Sequence, residues 1–233
     1  MVTSDRRGTT RAQTRENTER LILESARRHL ATDGPAGLSL RAIARDIGVV
    51  SSAVYRYVAN RDELLTKLLV EGYTDLADEV AAAIGRVGDG SARERLQAAA
   101  NAMRAWGAAD PSRWALLYGS PVPGYSAPAE QTGDPGTRVI AMILGEIAAA
   151  EAAGALHIDA ADTDDLHSEF GAIRTEFDAD LSDSALLVAM SLWATVIGAI
   201  SLEVFGQYGA DTFDDPATLF DAQIARLLAS VID

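Results

Sequence analysis

Apolar residues recur along most of the chain at intervals of three and four, the spacing of helices that bury one face. Two-residue alternation is absent and Val, Ile and Thr are not gathered into short runs, so an all-α fold is expected. Residues 1–13 are polar and arginine-rich and read as a flexible basic arm. A first helix is expected from about Arg15 to Asp33. Ile22, Ala26, His29 and Leu30 form its inner stripe, and Gly34-Pro35 stops it. Ser39 is a natural N-cap for a short helix, Leu40 to Asp46, closed by Gly48. A third short helix follows from Ser51 to Tyr57. Asn60 caps a fourth, with Glu63 completing a capping box, and this helix reaches about Arg86. After the break at Gly88-Asp89-Gly90, Ser91 and Glu94 open a helix lasting to Ala109, and Pro111 opens another that ends near Gly119. Ser120 to Gly136 holds four prolines and three glycines and reads as a loop. A helix is expected from Thr137 to Ala153, and then an acidic, poorly patterned stretch with a short helix around Asp164 to Phe177. A long apolar helix, Ser182 to Tyr208, and a last one from Pro216 to Val231 complete the chain.

Composition narrows the classes. With 233 residues, 48% hydrophobic and 23% charged, the chain can bury an ordinary core. It has no cysteine, which excludes disulfides, thiolate metal sites and cysteine nucleophiles. The N-terminus lacks the apolar segment of a secretory signal. The most apolar stretch, Ala185 to Phe205, is interrupted by Ser191, Thr195, Gly198, Ser201 and Glu203, so no membrane partner is expected and a cytoplasmic location is. The net charge of −14 argues against a nucleic-acid partner until it is divided along the chain. Residues 1–60 carry ten arginines against six acids, whereas the remainder carries nine arginines and Lys67, the only lysine, against 28 acids. A basic N-terminus on an acidic body is the split expected of a nucleic-acid-binding protein.

Residues 38–58, LSLRAIARDIGVVSSAVYRYV, supply the reason for that split. Ala44 is small enough for two helices to cross closely, and Gly48, four residues on, can take the positive φ of a tight turn. Ile43, Ile47, Val49 and Val54 make an internal wedge. Ser51, Ser52, Tyr55, Arg56 and Tyr57 are left as a short polar face suited to the major groove. The same face would also suit an ordinary packing unit wetted by solvent. Residues 18–70 resemble the DNA-binding domain of the TetR family of bacterial regulators, through Ile22, Ala26, Gly34, Ser39, Ile43-Ala44, Gly48-Val49, Val54 to Tyr57, Asn60-Arg61 and Leu64-Leu65. The segment RWALLYGSPVPGY, residues 113–125, resembles a ligand-domain subgroup of that family.

The resemblance implies an N-terminal three-helix helix-turn-helix DNA-binding domain (residues 14–60), a connecting helix (61–86) and a larger helical ligand-binding and dimerisation domain (87–233). It implies a homodimer paired through its last two long helices, and a double-stranded DNA operator read at half-sites about 34 Å apart. A small-molecule effector would swing the fourth helix and lower operator affinity. Position by position, Ser39 is implied as a phosphate donor, Arg41 as a backbone or base contact, and Ser51, Ser52 and Ala53 as the start of the recognition helix. Tyr55 and Tyr57 stand at phosphate- and base-contacting positions, although Tyr55 would equally suit burial against the first helix. Arg61 stands at a phosphate-contacting position, and Arg6, Arg7 and Arg11 would reach the adjacent minor groove or backbone. Val50 replaces the usual Ser or Thr cap of the recognition helix, which would shift the cap to Ser51. Leu30, Tyr57 and Val58 also depart from the family's common residues.

In the larger domain, Met103, Trp106, Trp114, Leu117, Tyr118, Met142, Ile143, Met190 and Trp193 are candidates to line a pocket for a largely apolar ligand, or are plain core. The hydroxyls of Tyr118 and Tyr125 are candidate polar anchors. His157 and His167 lie among Asp159, Asp162, Asp164, Asp165 and Glu169 at no recognisable metal-ligand spacing, and a solvated acidic loop is expected there, with no metal or cofactor. Ser-His-Asp, His-Glu-x-x-His and phosphate-loop patterns are absent, so the chain is expected not to be an enzyme. A helical ligand carrier or adaptor without sequence-specific DNA binding is the alternative.

Overall fold

The computed structural model describes residues 6–157, 163–209 and 211–233, with side chains described from residue 13 onward except at 164. Among the described residues there are ten α-helices, two short 3-10 turns and no strand. The helices are α1 (Arg6–Asp33), α2 (Leu40–Asp46), α3 (Ser51–Val54), α4 (Arg61–Val87), α5 (Ala92–Ala109), α6 (Pro111–Tyr118), α7 (Ala129–Ala152), α8 (His167–Phe177), α9 (Asp183–Val204) and α10 (Pro216–Val231).

Two cores organise them. In the N-terminal head, Ile22, Ala26 and Leu30 of α1 meet Leu40, Ile43 and Ala44 of α2, Val54 of α3 and Leu64, Leu65 and Leu68 of α4. In the body, Leu76 and Val80 of α4 join Leu96 and Met103 of α5, Trp114 of α6, Ile143 and Ile147 of α7, Leu186, Val196 and Ile200 of α9 and Phe220 and Ile224 of α10. α4 therefore belongs to both cores, its first turns in the head and its later turns in the body.

Helix starts follow the capping residues. The Ser39 hydroxyl accepts from the Ala42 amide at 3.4 Å and the Asn60 side chain from the Glu63 amide at 2.9 Å. Ser91 and Glu94 form a reciprocal capping box. Glu63 differs from expectation: its carboxylate accepts from the Ala59 amide at 2.7 Å, one residue before the cap. α9 stops at Val204 rather than near Tyr208. Gly206 takes φ +68°, its amide reaches the Glu203 carbonyl, and the Gln207 amide reaches the Leu202 carbonyl, a Schellman closure that a right-handed helix cannot continue through.

Two further boundaries differ. α1 is helical from Arg6, through most of the segment expected as an arm; no proline interrupts it, and arginine, alanine and glutamine favour helix. The side chains of Arg6, Arg7 and Arg11, expected at the minor groove, lie outside those described. α7 begins at Ala129, inside the expected loop, and carries Pro135 in its second turn. Pro135 cannot donate to the Gln131 carbonyl. The Thr132 and Thr137 hydroxyls reinforce that turn by donating to the Pro128 and Gly133 carbonyls at 2.9 and 3.0 Å.

α9 is apolar and long enough to cross a membrane by length and composition, contrary to the segment's interrupted appearance, yet only 33% of its most apolar window is buried within the chain. Leu202 and, just past the helix end, Phe205 are among the exposed large apolar residues.

Candidate nucleic-acid interface and its link to the body

The turn between α2 and α3 is set by Gly48 at φ +71°. The Val49 amide returns to the Ala44 carbonyl at 2.9 Å, so the chain reverses over a small side chain of α2. Ile43, Ala44 and Val54 are thereby buried at 1% exposure or less. The opposite face is open: Ser39, Arg41, Ser52, Tyr55 and Arg56 are exposed, and Ser51, Ala53, Tyr57 and Arg61 are half-buried. Val50 is the N-cap of α3 without a side-chain cap bond, so the helix start does not shift to Ser51; the backbone there is already extended and Ser51 is the first helical residue. Arg45 also lies on this face and escapes the motif-based reading, although it follows Arg41 by one helical turn.

Besides the caps at Ser39 and Asn60, two of the matched residues are engaged by more distant parts of the chain. The Arg61 guanidinium donates from Nε and Nη2 to the Pro35 carbonyl at 3.2 and 3.0 Å, tying the start of α4 to the turn after α1. The Tyr57 ring lies under the Arg15 guanidinium, 5.6 Å from the ring centre. Tyr55 remains 48% exposed, which resolves its two readings in favour of an open position.

His29, expected on the apolar stripe of α1, is instead the centre of a polar clamp. Its Nε2 is 2.7 Å from Asp46 at the end of α2, its Nδ1 is 3.3 Å from Asp33, and the buried Ser25 hydroxyl donates to Asp46 at 3.1 Å. The hydrogen bond to Asp46 raises the imidazole pKa, against the effect of burial and with help from Asp33. The same bond, followed by that from Ser25, holds Asp46 below the ordinary carboxylate value.

α6 and the segment after it fasten the head to the body. Leu116, Val122 and Tyr125 pack against the head core. Thr66 of α4 spends its one hydroxyl proton on the Asp62 carbonyl at 3.0 Å, so the Tyr125 hydroxyl, 2.9 Å away, is the donor to it. Tyr125 is thus engaged with α4. Arg113 pairs with Asp75 of α4 while its guanidinium lies 4.8 Å from the Trp106 ring centre.

In the body, the candidate pocket residues divide. Met103, Trp114 and Ile143 are 0–2% exposed and are core; Trp106, Leu117, Tyr118, Met142, Met190 and Trp193 are partly buried against it. Tyr118 is the hub of an aromatic cluster, with ring centres 4.5 Å from Trp114, 6.0 Å from Trp193 and 6.3 Å from Tyr73. Its hydroxyl is buried with no partner among the described residues, and burial drives its pKa far upward. The Trp114 indole, by contrast, donates to Ser201 at 3.1 Å. His157 pairs with Asp233 and His167 with Asp183. Asp159 and Asp162 lie outside the described residues, and no group of three metal-ligating side chains occurs among those described.

A basic helix-turn-helix head sharing a long helix with an acidic helical body defines a DNA-binding regulator. Residues 22–68 match the family described as bacterial regulatory proteins, tetR family, and residues 96–227 match the tetracyclin repressor-like C-terminal domain. The HTH-type transcriptional regulator Rv1816 of Mycobacterium tuberculosis is 51% identical over 227 residues, covering 95% of each chain. The crystal structure of SCO4313 is similar with a TM-score of 0.77 at 34% identity, over 94% of this chain and 98% of that one. The regulator FadR of Bacillus subtilis, solved in complex with stearoyl-CoA, shares the fold at a TM-score of 0.61 and 14% identity, over 90% of this chain and 97% of its own. The chain belongs to the TetR family of helix-turn-helix transcriptional regulators.

Proposed function

We propose that the protein is a homodimeric, non-enzymatic repressor that leaves a palindromic operator when a small, largely apolar effector binds its body. The observation that carries the DNA side is the segregation of the α2–α3 turn into a buried apolar wedge and an open face bearing Arg41, Arg45, Ser52, Tyr55 and Arg56. Ser51, Ser52 and Ala53 begin the recognition helix and are assigned to base edges; Ser39, Arg41, Tyr55 and Tyr57 are assigned to backbone and flanking contacts. Arg61 is assigned first to holding α4 against the Pro35 turn; its Nη1, 3.5 Å from the Asp62 carboxylate, would exchange that partner for phosphate on DNA.

The effector site is assigned to the aromatic cluster around Tyr118, whose unpartnered hydroxyl would receive a polar group on an otherwise apolar ligand. The shared fold of FadR, seen with stearoyl-CoA, agrees with an apolar occupant. α9, on which Ser191, Ala194, Thr195 and Leu202 are exposed and several apolar residues are only half-buried, is assigned to the partner copy.

Selection of bound duplexes from a random pool tests the proposal. The expected product is a palindrome with half-sites about one helical turn apart. Failure of the full-length protein to enrich any sequence, at a salt concentration where bulk duplex binding is measurable, would leave the carrier reading in its place.

A further inference from the structure

Most helix starts in this chain carry a side chain that accepts an amide: Ser39, Asn60, Ser91, Asp110, Ser182 and Asp215 all do so. The start of α3 does not. Val50 occupies it with an extended backbone, φ −70° and ψ 144°, and no side-chain bond, although valine is among the poorest residues for that place. Its carbonyl accepts from the Ala53 amide at 2.8 Å, so the backbone is held while the side chain is left spare. That side chain is 70% exposed, more than any other large apolar residue among those described. Val49, beside it, packs against the head core. A single apolar side chain on a surface is ordinary. This one lies in the stretch from Arg45 to Arg56, where Gly48, Ser52 and Tyr55 are also exposed, and immediately before the three residues assigned above to base edges. Two local preferences are set aside at one position, a polar cap and a covered valine.

Valine has neither donor nor acceptor in its side chain. On the major-groove edges of the base pairs the one apolar group is the C5 methyl of thymine. The others are N–H donors and N or O acceptors, which an isopropyl group would strip of water without replacing the bond. In helix-turn-helix docking the N-terminal residues of the recognition helix are the ones that meet base edges. We propose that Val50 is a specificity-determining residue that reads one thymine methyl in each operator half-site. The inference rests on the DNA-reading role proposed above and adds an apolar contact to the polar ones assigned to Ser51 and Ser52. A serine in this place would cap α3 and could bond to phosphate or to several base edges, whereas a valine favours thymine over the other bases.

The test uses the full-length protein and the duplex recovered by selection from the random pool. Each thymine of the half-site is replaced in turn by uracil, in both half-sites together, which removes a methyl and leaves base pairing and every polar group in place. At one thymine position the replacement is expected to weaken binding in competition assays by about fourfold per half-site, the size of one buried methyl group, and so by roughly tenfold to twentyfold for the whole palindrome. Val50→Ser is expected to bind the thymine and uracil duplexes equally, and Val50→Ile to keep the preference. Because serine supplies the missing cap, Val50→Ser is also expected to melt about 2–4 °C higher, which separates loss of reading from loss of fold. A flat uracil series, a thymine preference undiminished in Val50→Ser, or a selected half-site without thymine would each overturn the proposal and leave the DNA-reading role standing. So would a Val50→Ser protein that melts below the unsubstituted one, which would make Val50 part of the packing of the head. Failure to enrich any duplex would remove the DNA-reading role itself, and this inference with it.

Discussion

Arg61 shows how one side chain can be asked to do two things. Its paired donation to the Pro35 carbonyl is a charge-assisted contact, so Arg61→Ala is expected to lower unfolding free energy by about 1.5–3 kcal/mol in urea titrations. Arg61→Lys keeps the charge but not the forked geometry, so it should recover little of that stability. If the guanidinium also meets phosphate, the lysine variant retains the salt dependence of duplex binding and the alanine variant lowers the slope by about one. Ser52→Ala is expected to differ from both. It should change base preference at one operator position by roughly 1–3 kcal/mol, read by competition between duplexes, with the salt slope unaltered.

His29 adds a pH term to the head. A folded-state pKa raised above the ordinary 6.5 contributes stability that is complete below that value and is lost as pH rises through the raised one. Asp46, depressed below the ordinary 3.8, contributes above that value and loses its contribution as pH falls through the depressed one. The clamp between α1 and the end of α2 is therefore fullest in mildly acidic solution. Thermal melts from about pH 5 to about pH 9 should show stability declining on the alkaline side, and His29→Gln should flatten that decline. A decline unchanged in His29→Gln would assign the pH term to other groups.

At the scale of elements, much of the fold is legible in the sequence because its punctuation is local. Ser39, Asn60, Ser91 and Pro216 mark helix starts by bonds to neighbouring amides or by a missing donor, and Gly48 marks the turn by its φ. What the sequence leaves hidden depends on distant partners. Tyr125 reads as a ligand anchor until Thr66, 59 residues away, is seen beside it. His29 reads as core until Asp46 closes on it. The prolines before α7 read as loop because the threonine bonds that reinforce its first turns are invisible in a pattern. Within the candidate interface, the short polar run from Ser51 to Tyr57 is legible, but the tether on Arg61 is not, since nothing in its spacing points to Pro35.

Close approach between elements can be tested in the same way. A Cβ at Gly107 of α5 would lie 2.7 Å from the Trp114 ring and 3.0 Å from Ile200, both fully buried. Gly107→Ala should therefore wedge α5 from α6 and α9 and destabilise the protein by about 1–3 kcal/mol in the same urea titrations. Unchanged stability would mean that the indole can retreat without loss of packing.

For the whole molecule, the division of charge and the partly exposed face of α9 fit the proposed dimer together. In that arrangement the acidic body would stay clear of DNA while the basic head approaches it, and a second copy seated on α9 would supply the matching head. Ala194 and Thr195 are exposed on α9. Ala194→Arg is expected to shift the species seen in sedimentation velocity from dimer toward monomer and to weaken binding to the full palindrome far more than to a half-site. A dimer that survives this change would place the partner elsewhere on the body.

Lys67 is the chain's only lysine, and its ammonium is held by Glu19 in a cleft between head and body. Apart from the chain's first amine, acylating reagents have one place to react, so the rate at which that nitrogen is modified becomes a clock for separation of the two units. It also means that amine-to-amine cross-linking is nearly blind to assembly here. A negative result by that route carries no weight against a dimer, whereas carboxylate-directed chemistry has 34 side chains to work with.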